Sequence, residues 1–192
     1  RVSAGAAVRW LRDSLKIIQN AKETEGLYSK NDPTQKVYLV PAFVGLGAPY
    51  WDGEARGALF GLTRNTGIPE LVKATIDSVV YQTKDLILAM EKDSGIRIKK
   101  IKVDGGMVNN NQFVQFLSNL LLCKCLRPKI NETTSLGAAY LAGFQSGLIK
   151  KFTDINSKWE SEKKFVHKMN KKDIEQLYLG WKKAIKGTLA SK

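Results

Sequence analysis

The pattern best suited to hold a ligand is Lys99-Lys100-Ile101-Lys102-Val103-Asp104-Gly105-Gly106-Met107-Val108-Asn109-Asn110. A strand ends, two glycines turn the chain, and asparagines open a helix. Glycine has no Cβ, so a ligand can approach the backbone there, and free N–H groups at a helix start attract anions or polar ligand edges. Ligands of open α/β sheets gather at the carboxyl ends of strands, where this turn lies. The same two glycines are also what a plain tight turn needs. The turn is not a Walker loop, because Gly-Lys-Ser/Thr is absent. A second small-residue opening, Ser3-Ala4-Gly5-Ala6-Ala7, starts the first helix, and Arg9 stands one turn inside, within reach of an anion. Close helix packing, with Arg9 as a surface charge, explains that opening equally well.

No other residues assemble into a reacting group. His167 is the single histidine and sits in a lysine-rich polar stretch, so neither a Ser-His-Asp nor a Cys-His arrangement can be built. Asp52, Glu54, Asp77 and Asp104 are unmatched carboxylates, and Asp104 reads as a structural hydrogen-bonding group at a strand end. Cys123 and Cys125 stand two apart in an apolar run, where strand alternation points them to opposite faces. They read as small buried hydrophobes in a reducing cytosol, and C-x-C beside one histidine makes no zinc site.

The elements that position these residues read as α/β. A helix is expected over 3–19 with Ser3 as its cap, since Val8, Leu11, Leu15 and Ile18 recur at helical steps. Residues 21–36 read mainly as connection, 37–40 as a short strand stopped by Pro41, and 42–56 as a glycine-rich aromatic loop shaped against a ligand or a neighbouring domain. A short extended piece follows at 57–63. Pro69 opens a long central helix ending at Gly95. Strand 99–103, helix 109–122, strand 123–126 and a helix over 136–146, with capping hydroxyls at Thr133, Thr134 and Ser135, complete the alternation. After a polar connection, Asn170 caps a last amphipathic helix. Residues 1–150 are expected as one domain, with 151–192 a basic connection and a helix packed on it. Two clear strands and two short ones are few for so many helices, as if the start of the fold lay outside the chain. The chain opens with Arg1 rather than Met, so the lack of a visible signal peptide says little.

The formal net charge of +13 raises the question of nucleic acid. From Lys150 onward there are twelve lysines against five acids, with no arginine. Nucleic-acid binders interleave such charge with arginines and stacking aromatics, whereas Trp159, Tyr178 and Trp181 fall where helix packing uses them. A solvated lysine-rich surface is expected, without specific nucleic-acid binding and without membrane insertion.

Pro41-Ala42-Phe43-Val44-Gly45-Leu46-Gly47-Ala48-Pro49-Tyr50-Trp51-Asp52 resembles the FGGY carbohydrate kinases. So do Ala55-Arg56-Gly57, Phe60-Gly61-Leu62-Thr63, Glu70-Leu71 followed by Ala74-Thr75-Ile76-Asp77, Val103-Asp104-Gly105-Gly106, and Glu132-Thr133-Thr134-Ser135-Leu136-Gly137. The resemblance covers nearly all of 4–148. Within that family, Ala48-Pro49-Tyr50-Trp51-Asp52 favours the branch acting on glycerol over those acting on xylulose, ribulose or gluconate.

The resemblance implies an incomplete ribonuclease H-like ATPase domain of the actin, Hsp70 and hexokinase type, in a cytoplasmic enzyme that moves the γ-phosphate of Mg-ATP to glycerol, giving sn-glycerol 3-phosphate. By position it places Gly5 and Arg9 near the ATP phosphates, and Gly106 and Asn110 near adenosine. Many bacterial members carry Gln where this chain has Arg9. The general-base aspartate, the residues that grip glycerol and the first strands of the domain belong to a part not in this chain. Mg2+ would be held mainly by ATP and that part. The chain alone is then expected to be inactive. Another FGGY sugar kinase, and a non-catalytic ATP-binding or interaction fragment, stay open as alternatives, as does a homo-oligomer.

Overall fold

The computed structural model describes residues 4–130, 133–151 and 160–191. Its axis is helix α3 (Ile68–Ser94), 27 residues long, or about 40 Å at the rise of an α-helix. Gly67 stands at its N-cap with its N–H held by the Glu70 side chain, Pro69 lies in its first turn, and Gly95 ends it at φ 68°. Val72, Ile76, Val79 and Val80 are buried along one stripe, and α1 (Ala4–Arg9), α2 (Glu23–Ser29), β1 (Tyr38–Val40) and α4 (Asn111–Leu121) pack around it.

β1 pairs antiparallel with β2 (Ala58–Phe60). The second sheet has the order β3-β4-β5. In it β3 (Lys100–Lys102) runs parallel to β4 (Lys124–Pro128), and β5 (Ser161–Phe165) runs antiparallel to β4. The β3–α4–β4 unit is a parallel crossover, and it brings the Gly105-Gly106 turn to the carboxyl end of β3. α6 (Lys171–Ala190) closes the core with Trp181 wholly buried, stacked on Tyr81 at 5.2 Å. Its cap is Asn170, whose side chain accepts from the Asp173 N–H. Tyr178 also packs on α3, while Trp159 lies outside the described residues.

Three expectations need correction. The first helix does not reach Gln19. It passes into a π-helical turn (Trp10–Ser14) and stops at Lys16, φ 55°, where the chain turns to bury Ile18. Ser3, its expected cap, lies outside the described residues, as does Glu132. Residues 21–36 hold helix α2, with Thr24 and Tyr28 buried one turn apart, and Glu23 accepting the N–H groups of Gln19 and Asn20 at 3.2 Å each. The polar connection contains β5, whose alternation is masked by charge because only Phe165 among its residues is buried. α5 (Thr133–Gln145) starts on the expected hydroxyl run and has no buried residue. Among the described residues no helix is long and apolar enough to cross a membrane.

Candidate ligand cleft at the end of strand β3

The turn after β3 is built by sequence-local rules. The Val103 N–H pairs with the Leu126 carbonyl at 3.0 Å and ends the ladder. Gly105 takes φ 92°, a conformation that side chains with a Cβ avoid. A short 3-10 turn (Gly106–Asn109) follows, and Asn110 caps α4 by accepting the Phe113 N–H at 3.0 Å. The other end of the same amide donates to Thr24 Oγ1 at 3.2 Å, tying the turn to α2. Glu25 Oε1 accepts both the backbone and side-chain N–H of Asn111, at 3.0 and 2.9 Å.

These elements enclose a cleft of about 700 Å³, a size typical of small-molecule sites. α1 supplies Gly5, Val8 and Arg9 to its wall, and the π-helical turn adds Arg12. α2 supplies Thr24 and Glu25, with Ala21 and Lys22 just before it, and the β3 turn supplies Asp104 to Met107 with Asn109 and Asn110. The structure therefore brings Gly5, Arg9, Gly106 and Asn110, far apart in sequence, into one cleft. A Cβ added at Gly5 or Gly106 would meet nothing within 4 Å, unlike one at Gly180, which would strike Tyr38. Helix packing is thus not what makes Gly5 a glycine, and both backbones lie open to an occupant.

Arg9, Arg12 and Lys22 line the cleft with two carboxylates, Glu25 and Asp104. Glu25 is engaged by Asn111, and Asp104 accepts the Thr133 hydroxyl. Arg12 lies against Asp13 at 2.6 Å, and this neighbour holds the Asp13 carboxyl below the usual range, with Arg9 adding to the effect. With Arg12 paired to Asp13, Arg9 and Lys22 are the cations of the wall that an anionic ligand could meet. Reading 21–36 as connection leaves out Lys22, Thr24 and Glu25, which line the cleft. The spacing Ala21, Thr24, Leu27, Tyr28 carried a helical signal, diluted by Gly26 and the acids.

The other singled-out residues lie elsewhere and have structural surroundings. Asp77 is buried, accepts from Tyr28 at 2.7 Å and pairs with Lys73, and burial pushes its carboxyl up. Asp52 caps its own loop through the N–H groups of Glu54 and Ala55. His167 and Glu54 are exposed. Both cysteines are free and buried. Cys123 stands just before β4 and Cys125 within it, and the neighbouring Cys125 draws the Cys123 thiol down. Among the described residues no three His, Cys, Asp or Glu side chains group to hold a metal.

Residues 2–146 match the FGGY family of carbohydrate kinases, C-terminal domain. A glycerol kinase of Geobacillus sp. (strain WCH70) is 53% identical over 189 residues, 98% of this chain and 38% of that protein. A glycerol kinase of Bacillus cereus (strain G9842) is 51% identical over the same shares. The chain thus spans well under half the length of these relatives. Among solved structures, Plasmodium falciparum glycerol kinase with ADP superposes with a TM-score of 0.87 at 34% identity, over 97% of this chain and 37% of that one. A gluconate kinase from Lactobacillus acidophilus shares the fold at 22% identity and TM-score 0.78, over 98% of this chain and 38% of that one.

Proposed function

Since the chain belongs to the FGGY family of carbohydrate kinases through that family's C-terminal domain, we propose that it forms the nucleotide side of a kinase that phosphorylates glycerol from ATP. The observation that carries this reading is the convergence of Gly5, Arg9, Gly106 and Asn110 on one cleft at the carboxyl end of β3. The choice of glycerol within the family is supported by two glycerol kinases at 53% and 51% identity.

In this reading the chain binds and orients, and does no proton chemistry. Gly5 and Arg9 face the phosphates, the guanidinium offering charge and the glycine an open backbone. Gly106 lets the nucleoside lie against the β3 turn. The Asn110 side chain is already spent on the Phe113 N–H and Thr24, so it contributes through the shape of the turn. A reacting hydroxyl, its general base and an in-line phosphate must be held together for transfer. In this reading Glu25 and Asp104 brace the cleft through Asn111 and Thr133, and the base comes from a part outside this chain. Mg2+ would be held mainly by the nucleotide and by that outside part.

Calorimetric titration with ADP should show binding by this 192-residue chain, weakened about tenfold in Arg9→Ala by loss of a charge-assisted contact. A coupled assay should detect no glycerol phosphorylation by the chain alone. In a protein of the relatives' length, glycerol should be preferred to pentuloses. Absence of ADP binding would sink the nucleotide reading, and a pentulose preference would sink the glycerol assignment.

A further inference from the structure

We infer that Arg127, held by Glu162 of β5, is a positioning residue for the nucleotide turn. The inference rests on the nucleotide reading of the cleft. Arg127 is 7% exposed, and a buried guanidinium is stable only when its donors are paired. Its Nε donates to Glu162 Oε2 at 2.8 Å and its Nη2 to Glu162 Oε1 at 3.3 Å. This two-point grip fixes the plane of the guanidinium, stacked 5.5 Å from the Phe165 ring. Nη1 is left aimed at the turn, donating to the Val108 carbonyl at 2.9 Å and to Asn111 Oδ1 at 3.4 Å.

Those two acceptors lie at the C-terminal end of the segment that lines the cleft. Val108 closes the 3-10 turn through its N–H on the Gly105 carbonyl at 3.1 Å, and the Asn110 N–H reaches Met107 at 3.1 Å. Asn111 carries the contact on to Glu25, and Asn110 to Thr24. From Glu162 through Arg127 and Asn111 to Glu25 of α2 the hydrogen bonds are continuous, and Val108 links them to the Gly105 carbonyl. The β4–β5 register shifts between Arg127 and Pro128. Such a bulge re-aims a side chain, and here it accompanies an arginine directed under the turn. Glu162 lies beyond residues 2–146, so part of the clamp comes from outside the stretch that matches the family.

Lysine cannot replace this fork, because one ammonium cannot hold a carboxylate at two points and also reach the turn. Hydrogen exchange on the ligand-free chain, with ADP calorimetry beside it, tests the role. In Arg127→Lys the amides of Val108, Asn110 and Asn111 should exchange about tenfold faster, and ADP should bind about tenfold more weakly, with α3 still protected. Glu162→Gln, changed at a half-exposed partner, should move both readouts the same way by less, and it serves if the lysine variant fails to fold. Unchanged exchange in the turn, or a uniform rise that includes α3, overturns the inference. Wild-type binding of ADP with no loss in either variant sinks the positioning role alone. If the wild type binds no ADP, the nucleotide reading falls and this role with it.

Discussion

Asp85 shows how far a single side chain can organise this molecule. It is 3% exposed and accepts from Tyr50 at 2.8 Å, from Trp181 Nε1 at 2.7 Å and from Tyr178. Lys182 stands 3.6 Å away. Three donors from the 41–57 loop and α6 thus converge on one carboxylate of α3, so it acts as a joint between segments distant in sequence. Asp85→Ala should lower unfolding free energy in urea by about 3–5 kcal/mol, because the donors stay buried without an acceptor. Asp85→Asn, which keeps one acceptor oxygen, should cost less. A loss below about 1 kcal/mol in the alanine variant would mean that water replaces the carboxylate freely. Nothing in the sequence marks Asp85 for this role, since its partners lie 35, 93 and 96 residues away. The turn that holds Gly106 and Asn110 is legible because a strand, a turn and a helix start announce themselves over a few neighbours, whereas a ligand role for the two comes only from the family resemblance. Arg127 is not legible, because its meaning depends on a strand formed 35 residues later.

Helices were read well where caps and apolar spacing agreed, and badly where polar residues did the folding. α3 had both Pro69 and Gly95 at its ends, and α6 had Asn170. α2 buries Thr24 and Tyr28 among acids that dilute its helical spacing, and β5 buries one phenylalanine, so hydrophobic period marks both only weakly. At the start of α3, Glu70 accepts the Gly67 N–H and the Asp32 N–H at 2.9 Å each, joining the helix to the chain after α2. The Asp32 backbone bond is the main reason that the Glu70 carboxyl is held below its ordinary value of 4.5. A depressed carboxyl contributes stability above its unfolded pKa and loses it as pH falls through the folded one. Glu70→Gln should therefore cost about 1 kcal/mol near neutral pH, one backbone donor being lost. The difference from wild type should shrink as pH drops below 4.5. Equal destabilisation at neutral and acid pH in chemical denaturation would show that the charge is not what Glu70 contributes.

On the scale of the whole molecule the net charge is basic, while the long helix α3 is set among phenols whose ionisation depends on the fold. The thin sheet seen in the sequence is present in the structure as a three-stranded sheet and a separate hairpin. α5, with no charged residue, buries none of its side chains. The phenols gather instead about α3, where Tyr81 of that helix lies against Tyr38, and Tyr28, Tyr50 and Tyr178 reach its Asp77 and Asp85. Burial first, then the nearby Asp77 or Asp85, pushes all five phenols above their ordinary value of 10.0. Unfolded tyrosines release their protons near 10.0 while these folded ones keep theirs. Their contribution is then complete below that pH and is lost as pH rises beyond it. Lys84, whose ammonium burial pulls down, runs the other way, as one group against five. Stability to urea should fall steeply above pH 10.0, and the tyrosinate absorbance of most phenols should appear only together with loss of the near-ultraviolet dichroism of Trp181. Reversible ionisation of all six tyrosines at the ordinary value, with that dichroism intact, would refute an aromatic core closed to water.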